Sequence, residues 1–196
     1  MKAYKGTVRS DLLYVGQQDF RPMFVLEHDP APQTPQVIQG ILWLASRTQG
    51  GTDPVVVNGD LALLIPEFQY SFDIFLDKGA PKGPADFSLQ IPNDPVLQGL
   101  VMLFQYVAIA PNASQDTVVS DVFGSTILPA PSGGGSHASE TGPRAPTWAK
   151  MTAKRRAEAR KAFGQWLTRD KGSISPSGSQ LIAAVQARLV RQHKKR

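Results

Sequence analysis

The sequence contains no cysteine. This absence excludes a disulfide-stabilised scaffold, a thiolate metal site and a cysteine nucleophile. Aromatic residues make up 8% and charged residues 19% of the 196-residue chain, which is within the range of globular proteins. The longest apolar stretch, residues 96–110, is interrupted by Gln98 and Gln105. It is shorter than the ~20 residues that a membrane-spanning helix needs, so the sequence predicts a soluble chain without a membrane span.

The chain also lacks an apolar run close behind its first residues, Met1 to Gly6. A secretory signal peptide needs such a run, so none is expected. This favours a virion or cytoplasmic location over secretion by the standard route, although the compartment itself stays open.

Recognisable catalytic motifs are missing as well. We find no Gly-x-Ser-x-Gly, His-Glu-x-x-His or phosphate-loop pattern. The three histidines, His28, His137 and His193, have no second histidine at metal-ligand spacing. The sequence therefore predicts no enzyme activity, no catalytic residue, no metal site and no cofactor.

The charge is divided unequally along the chain. Residues 1–131 contain 7 Lys/Arg against 13 Asp/Glu, a net charge of −6, whereas residues 132–196 contain 14 against 3, a net charge of +11. An acidic body with a basic end indicates one of three partners: a polyanion, an acidic protein, or the chain's own body.

Short apolar or alternating runs dominate the first 130 residues, and turns rich in Gly and Pro separate them. Asn58-Gly59 between two such runs predicts a hairpin, and alternation from Phe68 to Leu76 predicts a strand with one buried face. Residues 1–130 are thus predicted to form an acidic antiparallel β-sandwich, jelly-roll-like or immunoglobulin-like. The predicted strands are 12–15, 23–26, 37–44, 55–57, 61–65, 70–76, 87–91, 100–109 and 117–127.

Residues 131–147 are rich in Gly, Ser and Pro, which predicts a flexible linker. Residues 148–196 are then predicted to form a basic helical arm. Good helix formers predict one helix over 148–168, and an apolar stripe after the N-cap candidate Ser179 predicts a second over 179–192.

The arm carries two sets of candidate binding residues. The apolar set is expected to dock on a protein partner and comprises Phe163, Trp166, Leu167, Leu181, Ile182, Val185 and Leu189. The basic set is expected to contact a polyanion, with Trp148 and Trp166 close enough in sequence to stack on bases. It comprises Lys154, Arg155, Arg156, Arg160, Lys161, Arg188, Arg191, Lys194, Lys195 and Arg196.

One sequence motif in the body is similar to a motif of another group of proteins. Leu89 to Pro95, then Leu97, Gly99 and Leu100, are followed by Gln105 and a final strand after Val118. Because of this motif, residues 55–127 resemble an uncharacterised small β-domain of secreted planctomycete-type bacterial proteins. That family carries no established activity, so the resemblance implies a β fold and a non-enzymatic role.

Three functions follow from these features. The first is a structural or assembly protein, of virion or cell-surface type, in which the arm docks on a neighbouring subunit or partner and the chain forms a homo-oligomer. The second is a nucleic-acid-associated protein whose helices clamp phosphates without sequence specificity. The third is a carbohydrate-active or carbohydrate-binding sandwich, with Asp73, Asp77 and Asp86 as carboxylate candidates.

Overall fold

A computed structural model of the protein describes residues 5–9, 13–20, 23–27, 31–47, 54–58, 61–80, 82–85, 88–109, 117–130, 152–170, 172–175 and 178–193. Most of the described strands precede two long C-terminal helices. The prediction of a mainly β body followed by two helices is therefore confirmed.

The described elements, in chain order, are twelve strands, one 3-10 helix and two α-helices. They are β1 (Lys5–Arg9), β2 (Leu13–Tyr14), β3 (Met23–Glu27), β4 (Gln36–Arg47), β5 (Val55–Asn58), β6 (Leu61–Leu64), β7 (Phe68–Leu76), β8 (Lys82–Ala85), the 3-10 helix Pro95–Leu97, β9 (Val101–Ile109), β10 (Thr117–Val119), β11 (Phe123–Leu128), α1 (Ala153–Arg169), β12 (Ser173–Ile174) and α2 (Gly178–His193).

A large sheet with the strand order β12-β7-β4-β9-β11-β2 forms the centre of the molecule, and β10 also pairs with β9. Its middle strand, β4, is twelve residues long and pairs antiparallel with β7 on one side and β9 on the other. Successive side chains of β4 point to opposite faces, and residues Leu42 to Ala45 are buried on both. Both faces of the sheet must therefore be covered by other elements.

The first face is covered partly by a three-stranded sheet of order β1-β3-β8. Phe24 of β3 stacks on Tyr106 of β9 with ring centroids 4.7 Å apart, and both side chains are buried. Phe24, Leu26, Leu42 and Phe104 belong to one apolar cluster that fills the space between the two sheets. Two sheets packed across a shared core account for the sandwich-like body.

The second face is covered partly by the antiparallel pair β5–β6, which flanks the predicted Asn58-Gly59 turn. A buried amide ties this pair to the sheet: the backbone N–H of Leu64 donates to Gln105 Oε1 at 2.7 Å. Gln105 Nε2 donates to the carbonyls of Ala62 and Ser120, both at 2.8 Å. Since Gln105 has no exposed surface, these bonds satisfy an amide that would be costly to bury alone.

Several predicted strands differ from the observed ones. The predicted strand 87–91 is not a regular strand: among its described residues, 88–91, Leu89 forms an isolated bridge with Phe20, and a regular strand lies earlier, at β8. The predicted strand 117–127 is split into β10 and β11, because Ser120 leaves the regular ladder and its hydroxyl accepts the N–H of Tyr106. β11 and β2 pair in parallel, so the sheet is not wholly antiparallel. β1 and β12 were not predicted.

Gly40 of β4 provides a test of the side-chain packing on the first face of the large sheet. A Cβ at this position would lie 2.5 Å from the ring of Phe72 on β7, and that ring packs edge-to-face on Tyr106. We expect Gly40→Ala to lower the free energy of unfolding by about 1–3 kcal/mol through overpacking. Ser71→Ala, at an exposed position of β7, is the control. Chemical denaturation of both variants measures the difference, and equal stabilities would contradict this account.

Candidate functional site

The first helix of the arm is defined by its cap and by an apolar side. Thr152 is the N-cap, and its side chain accepts the N–H of Arg155 at 3.3 Å. Ala159, Phe163 and Leu167 recur at spacings of four, which places them on one side of α1. All three are buried in the same cluster as the body's aromatic residues. α1 therefore lies on the first face of the large sheet, beside the smaller one.

Aromatic contacts hold the C-terminal half of α1 on the sheet. Phe163 packs edge-to-face on Phe68 of β7, with centroids 6.0 Å apart, and contacts Trp166 at 5.9 Å. The hydroxyl of Tyr70 donates to the carbonyl of Leu167 at 3.2 Å. Burial of the phenol, and then the nearby charge of Asp170, raise the pKa of Tyr70 above its ordinary value. This tyrosine therefore stays protonated and able to donate.

After α1 the chain crosses the edge of the sheet. β12 pairs antiparallel with the first residues of β7, Ser173 opposite Gln69 and Ile174 opposite Phe68. The N–H of Ser175 continues this contact by donating to the carbonyl of Glu67 at 3.1 Å. β12 thus covers the beginning of β7, which would otherwise be an open edge strand.

Gly172 makes this crossing sterically possible. A Cβ there would lie 2.8 Å from both the carbonyl oxygen of Leu167 and the ring of Tyr70. The N–H of Gly172 donates to that same carbonyl at 2.9 Å. Only a residue without a side chain fits between the end of α1 and the sheet.

The second helix lies on the second face of the sheet. Ile182 and Val185 are buried in a cluster with Trp43 of β4 and Val107 of β9, and Leu181 and Leu189 pack against it. Near the start of α2, a Cβ on Gly178 would lie 2.8 Å from the side chain of Ile65. α1, β12 and α2 together form what we call the C-terminal clasp, residues 153–193, which packs on both faces and one edge of the sheet.

All seven residues predicted to dock on a protein partner therefore pack against the chain's own sheet. Five of them are buried. The other two, Leu181 and Leu189, are half-buried and pack against the cluster on the second face. Whether they also meet a second subunit stays a prediction. The predicted linker, 131–147, lies outside the described residues, but the arm shares its apolar clusters with the predicted body, 1–130.

The predicted basic residues lie mainly on the outer side of the clasp. Lys154, Arg160 and Lys161 of α1 are exposed, and Arg155 and Arg156 are half-buried. On α2, Arg188 and Arg191 are exposed, and Arg191 Nε donates within the helix to the carbonyl of Ala187 at 3.0 Å. Lys194, Lys195 and Arg196 lie outside the described residues.

The expected stacking of bases on Trp166 is not supported. Trp166 is only 7% exposed and belongs to the apolar cluster on the first face, so its ring is not available for a base to stack on. Trp148 lies outside the described residues. The basic surface is thus left with charge and hydrogen bonding as its means of contact.

Metal and carboxylate sites receive no support from the described part of the chain. Among those residues no group of three His, Asp or Glu could hold a metal ion. Asp73 and Asp77 are exposed on and after β7, and Asp86 lies outside the described residues, so a carboxylate pair remains untested. Neither described α-helix is long and apolar enough to cross a membrane.

Protein-family models and curated proteins were compared with this chain. No protein-family model matches it, and no curated protein matches it. The resemblance of residues 55–127 to a bacterial β-domain therefore stays a prediction.

Sequence reasoning missed the components that hold the clasp at the edge of the sheet. β12 has only two residues and no strand pattern of its own, and the Tyr70–Leu167 bond joins positions far apart in the chain. Gly172 was a usable signal, because a glycine directly after a helix often marks its C-terminal end.

The contribution of the clasp to folding can be measured at Phe163. We expect Phe163→Ala to lower the free energy of unfolding by about 3–5 kcal/mol, because a buried aromatic side chain is removed between α1 and β7. The control is Gln165→Ala, which truncates an exposed side chain on the same helix. Urea denaturation of the full chain compares them. If both variants are as stable as the parent, α1 does not dock as described.

Proposed function

We propose that this protein is a non-enzymatic, nucleic-acid-associated protein that binds the phosphate backbone through the basic outer surface of its C-terminal clasp. One observation carries the proposal: the apolar side chains of the arm are buried on the chain's own sheet, while Lys154, Arg160 and Lys161 face solvent. The arm's apolar stripes thus pack on the chain's own sheet, while these three cations are accessible to a partner in solution.

The composition of α1 supports a phosphate partner. Its 17 residues include six Lys/Arg and a single acid, Glu158. A cluster of cations on one helix attracts a polyanion at long range and releases counterions when phosphates are contacted. The acidic body disfavours close approach elsewhere, which would confine the nucleic acid to the clasp.

The placement of the helices favours binding without sequence readout. α1 and α2 lie on opposite faces of the large sheet, so they do not form a helix-turn-helix unit. Arg188 and Arg191 of α2 therefore belong to a second basic surface rather than extending that of α1. Phosphate contacts position a nucleic acid but carry no sequence information, so binding would be non-specific.

The salt dependence of binding tests this proposal. We expect Lys154→Gln/Lys161→Gln to bind duplex DNA more weakly than the parent. The slope of log K against log salt should also become less negative by about 2, because each phosphate contact in B-DNA contributes ~0.9 to that slope. Fluorescence anisotropy with duplexes of two unrelated sequences measures both quantities.

The control removes the same charge from the body. Lys78→Gln/Lys82→Gln changes two exposed lysines that are remote from the clasp in sequence. Lys78 lies in the turn before β8, and Lys82 is the first residue of β8. This variant should retain the parent slope. Equal slopes in the two double variants, or no binding by the parent at low salt, would contradict a phosphate-binding clasp.

A second candidate function is a structural or assembly protein whose subunits exchange clasps. It is favoured by the two-residue pairing of β12 with β7 and by the two apolar faces of the sheet that the clasp covers. The composition of residues 131–147 predicts a flexible linker. Such a linker would let the clasp make the same contacts with the sheet of a neighbouring copy.

The absence of native cysteine permits a direct test of exchange. Ser173 and Gln69 are opposite each other in an antiparallel pair, a spacing that a disulfide can bridge. The chain with only Gln69→Cys is mixed with the chain carrying only Ser173→Cys, and the mixture is unfolded, refolded and oxidised. Exchange predicts a covalent heterodimer on a non-reducing gel.

The double variant Gln69→Cys/Ser173→Cys is the positive control for the geometry. It should form an intramolecular disulfide when the clasp packs on its own sheet. Clasp exchange would be excluded if the double variant forms the intramolecular disulfide and the mixture gives no more covalent dimer than either single variant oxidised by itself.

A further inference from the structure

A polar cavity lies where the end of α1 meets two loops of the body. Its volume is about 350 Å³, within the range of small-molecule sites. Gln18 comes from the loop after β2, Gln90 and Asn93 from the segment before the 3-10 helix, and Arg169 and Asp170 from the end of α1. This cavity is distinct from the outer surface of the clasp used in the proposed function.

Backbone hydrogen bonds hold the two loops together beneath the cavity. The N–H of Gly16 donates to the carbonyl of Pro92 at 3.1 Å, and the N–H of Ile91 donates to the carbonyl of Gln17 at 2.8 Å. Gly16 has a φ of +76°, which an L side chain rarely adopts. The loops therefore form a pre-organised base, a property that lowers the entropy lost when a ligand binds.

Hydrogen bonds also hold the C-terminal end of α1, which forms one wall of the cavity. The N–H of Asp170 donates to the carbonyl of Trp166 at 3.0 Å, and the next carbonyl, that of Leu167, accepts from both Gly172 and Tyr70. These bonds position the last turn of the helix against the sheet. The side chains of Arg169 and Asp170 are thus presented from a rigid support.

The polar groups around the cavity include both donors and acceptors. Gln90 Nε2 donates to Gln18 Oε1, which connects the amides of the two loops. Asn93 adds a third, exposed amide. Arg169 and Asp170 carry opposite charges, so the described lining of the cavity has no net charge. An anion would meet the Asp170 carboxylate, and a cation the Arg169 guanidinium.

Trp166 adds an independent observation. Its side chain lines the cavity and is more than nine-tenths buried, and no described residue accepts a hydrogen bond from its indole Nε1. Buried donors are almost always paired. The indole therefore lies beside the cavity with a buried N–H, and its signal should respond to a ligand that binds there.

From these features we propose that the cavity binds a neutral saccharide. Hydroxyl groups can both donate to and accept from planar amides, a carboxylate and a guanidinium, and they require no net charge in the site. Ile91 and Pro92 provide apolar surface for the C–H groups of a sugar ring. A wholly apolar ligand would cover the exposed amide of Asn93 and the Oε1 of Gln90 without offering either a hydrogen bond.

The indole N–H of Trp166 is the most direct reporter of such binding. The chain has three tryptophans, so its ¹H–¹⁵N spectrum has few indole signals, and loss of one in Trp166→Phe assigns Trp166. The full chain is titrated with glucose, galactose, N-acetylglucosamine, maltose and cellobiose. At least one of them should shift this signal saturably, while inorganic phosphate should not.

Two amide variants locate the site. We expect Gln90→Ala and Asn93→Ala each to weaken the sugar affinity at least tenfold, since both side chains are exposed and their truncation should leave the fold intact. Gln165→Ala removes an exposed amide on α1 outside the cavity lining and should bind as the parent does. The unshifted spectrum of each variant confirms folding.

Three outcomes would overturn the proposal. The first is a Trp166 signal that does not move with any of the five sugars. The second is a saturable shift that is equally strong in Gln90→Ala and Asn93→Ala, because the sugar would then bind elsewhere. The third is a response to phosphate alone, which would replace the neutral ligand with an anion. None of these outcomes affects the salt test of the clasp.

Discussion

The structure depends on a central sheet that is apolar on both faces. β4 and β9 carry buried side chains at consecutive positions, so neither face can be left in water without a large loss of hydrophobic free energy. The smaller sheet and the β5–β6 pair each cover only part of a face. The C-terminal clasp contributes to covering the rest, placing α1 on the first face, β12 along one edge and α2 on the second.

This constraint determines which surface of the arm is available for function. Because Phe163, Leu167 and Val185 are required to cover the sheet, they point inward. Cations elsewhere on the same helices, such as Lys161 and Arg188, are exposed to solvent. A basic surface outside an acidic body is then a consequence of amphipathic helices docking on their own chain. The same docking brings the end of α1 against the loops around Gln18 and Gln90, which creates the polar cavity.

The parts of the site that could be predicted are those with a local periodic signal. The apolar stripe Leu181, Ile182, Val185 and Leu189 indicated both the second helix and the side that packs. The location of its partner could not be predicted, because an amphipathic stripe specifies only that an apolar surface is needed. Nothing in the sequence indicated that Trp43 would be part of that surface, since the two are brought together only by folding.

Composition and short-range patterns were enough to predict a mainly β body, an acidic-to-basic division of charge and two amphipathic C-terminal helices. Each of these follows from composition or from a repeat of two to four residues. Tertiary structure alone decided that the helices lie on opposite faces, that β12 joins the edge at Phe68 and Gln69, and that Trp166 is buried rather than available for stacking. These outcomes depend on contacts between residues about 100 or more positions apart, which local patterns of hydrophobicity do not encode.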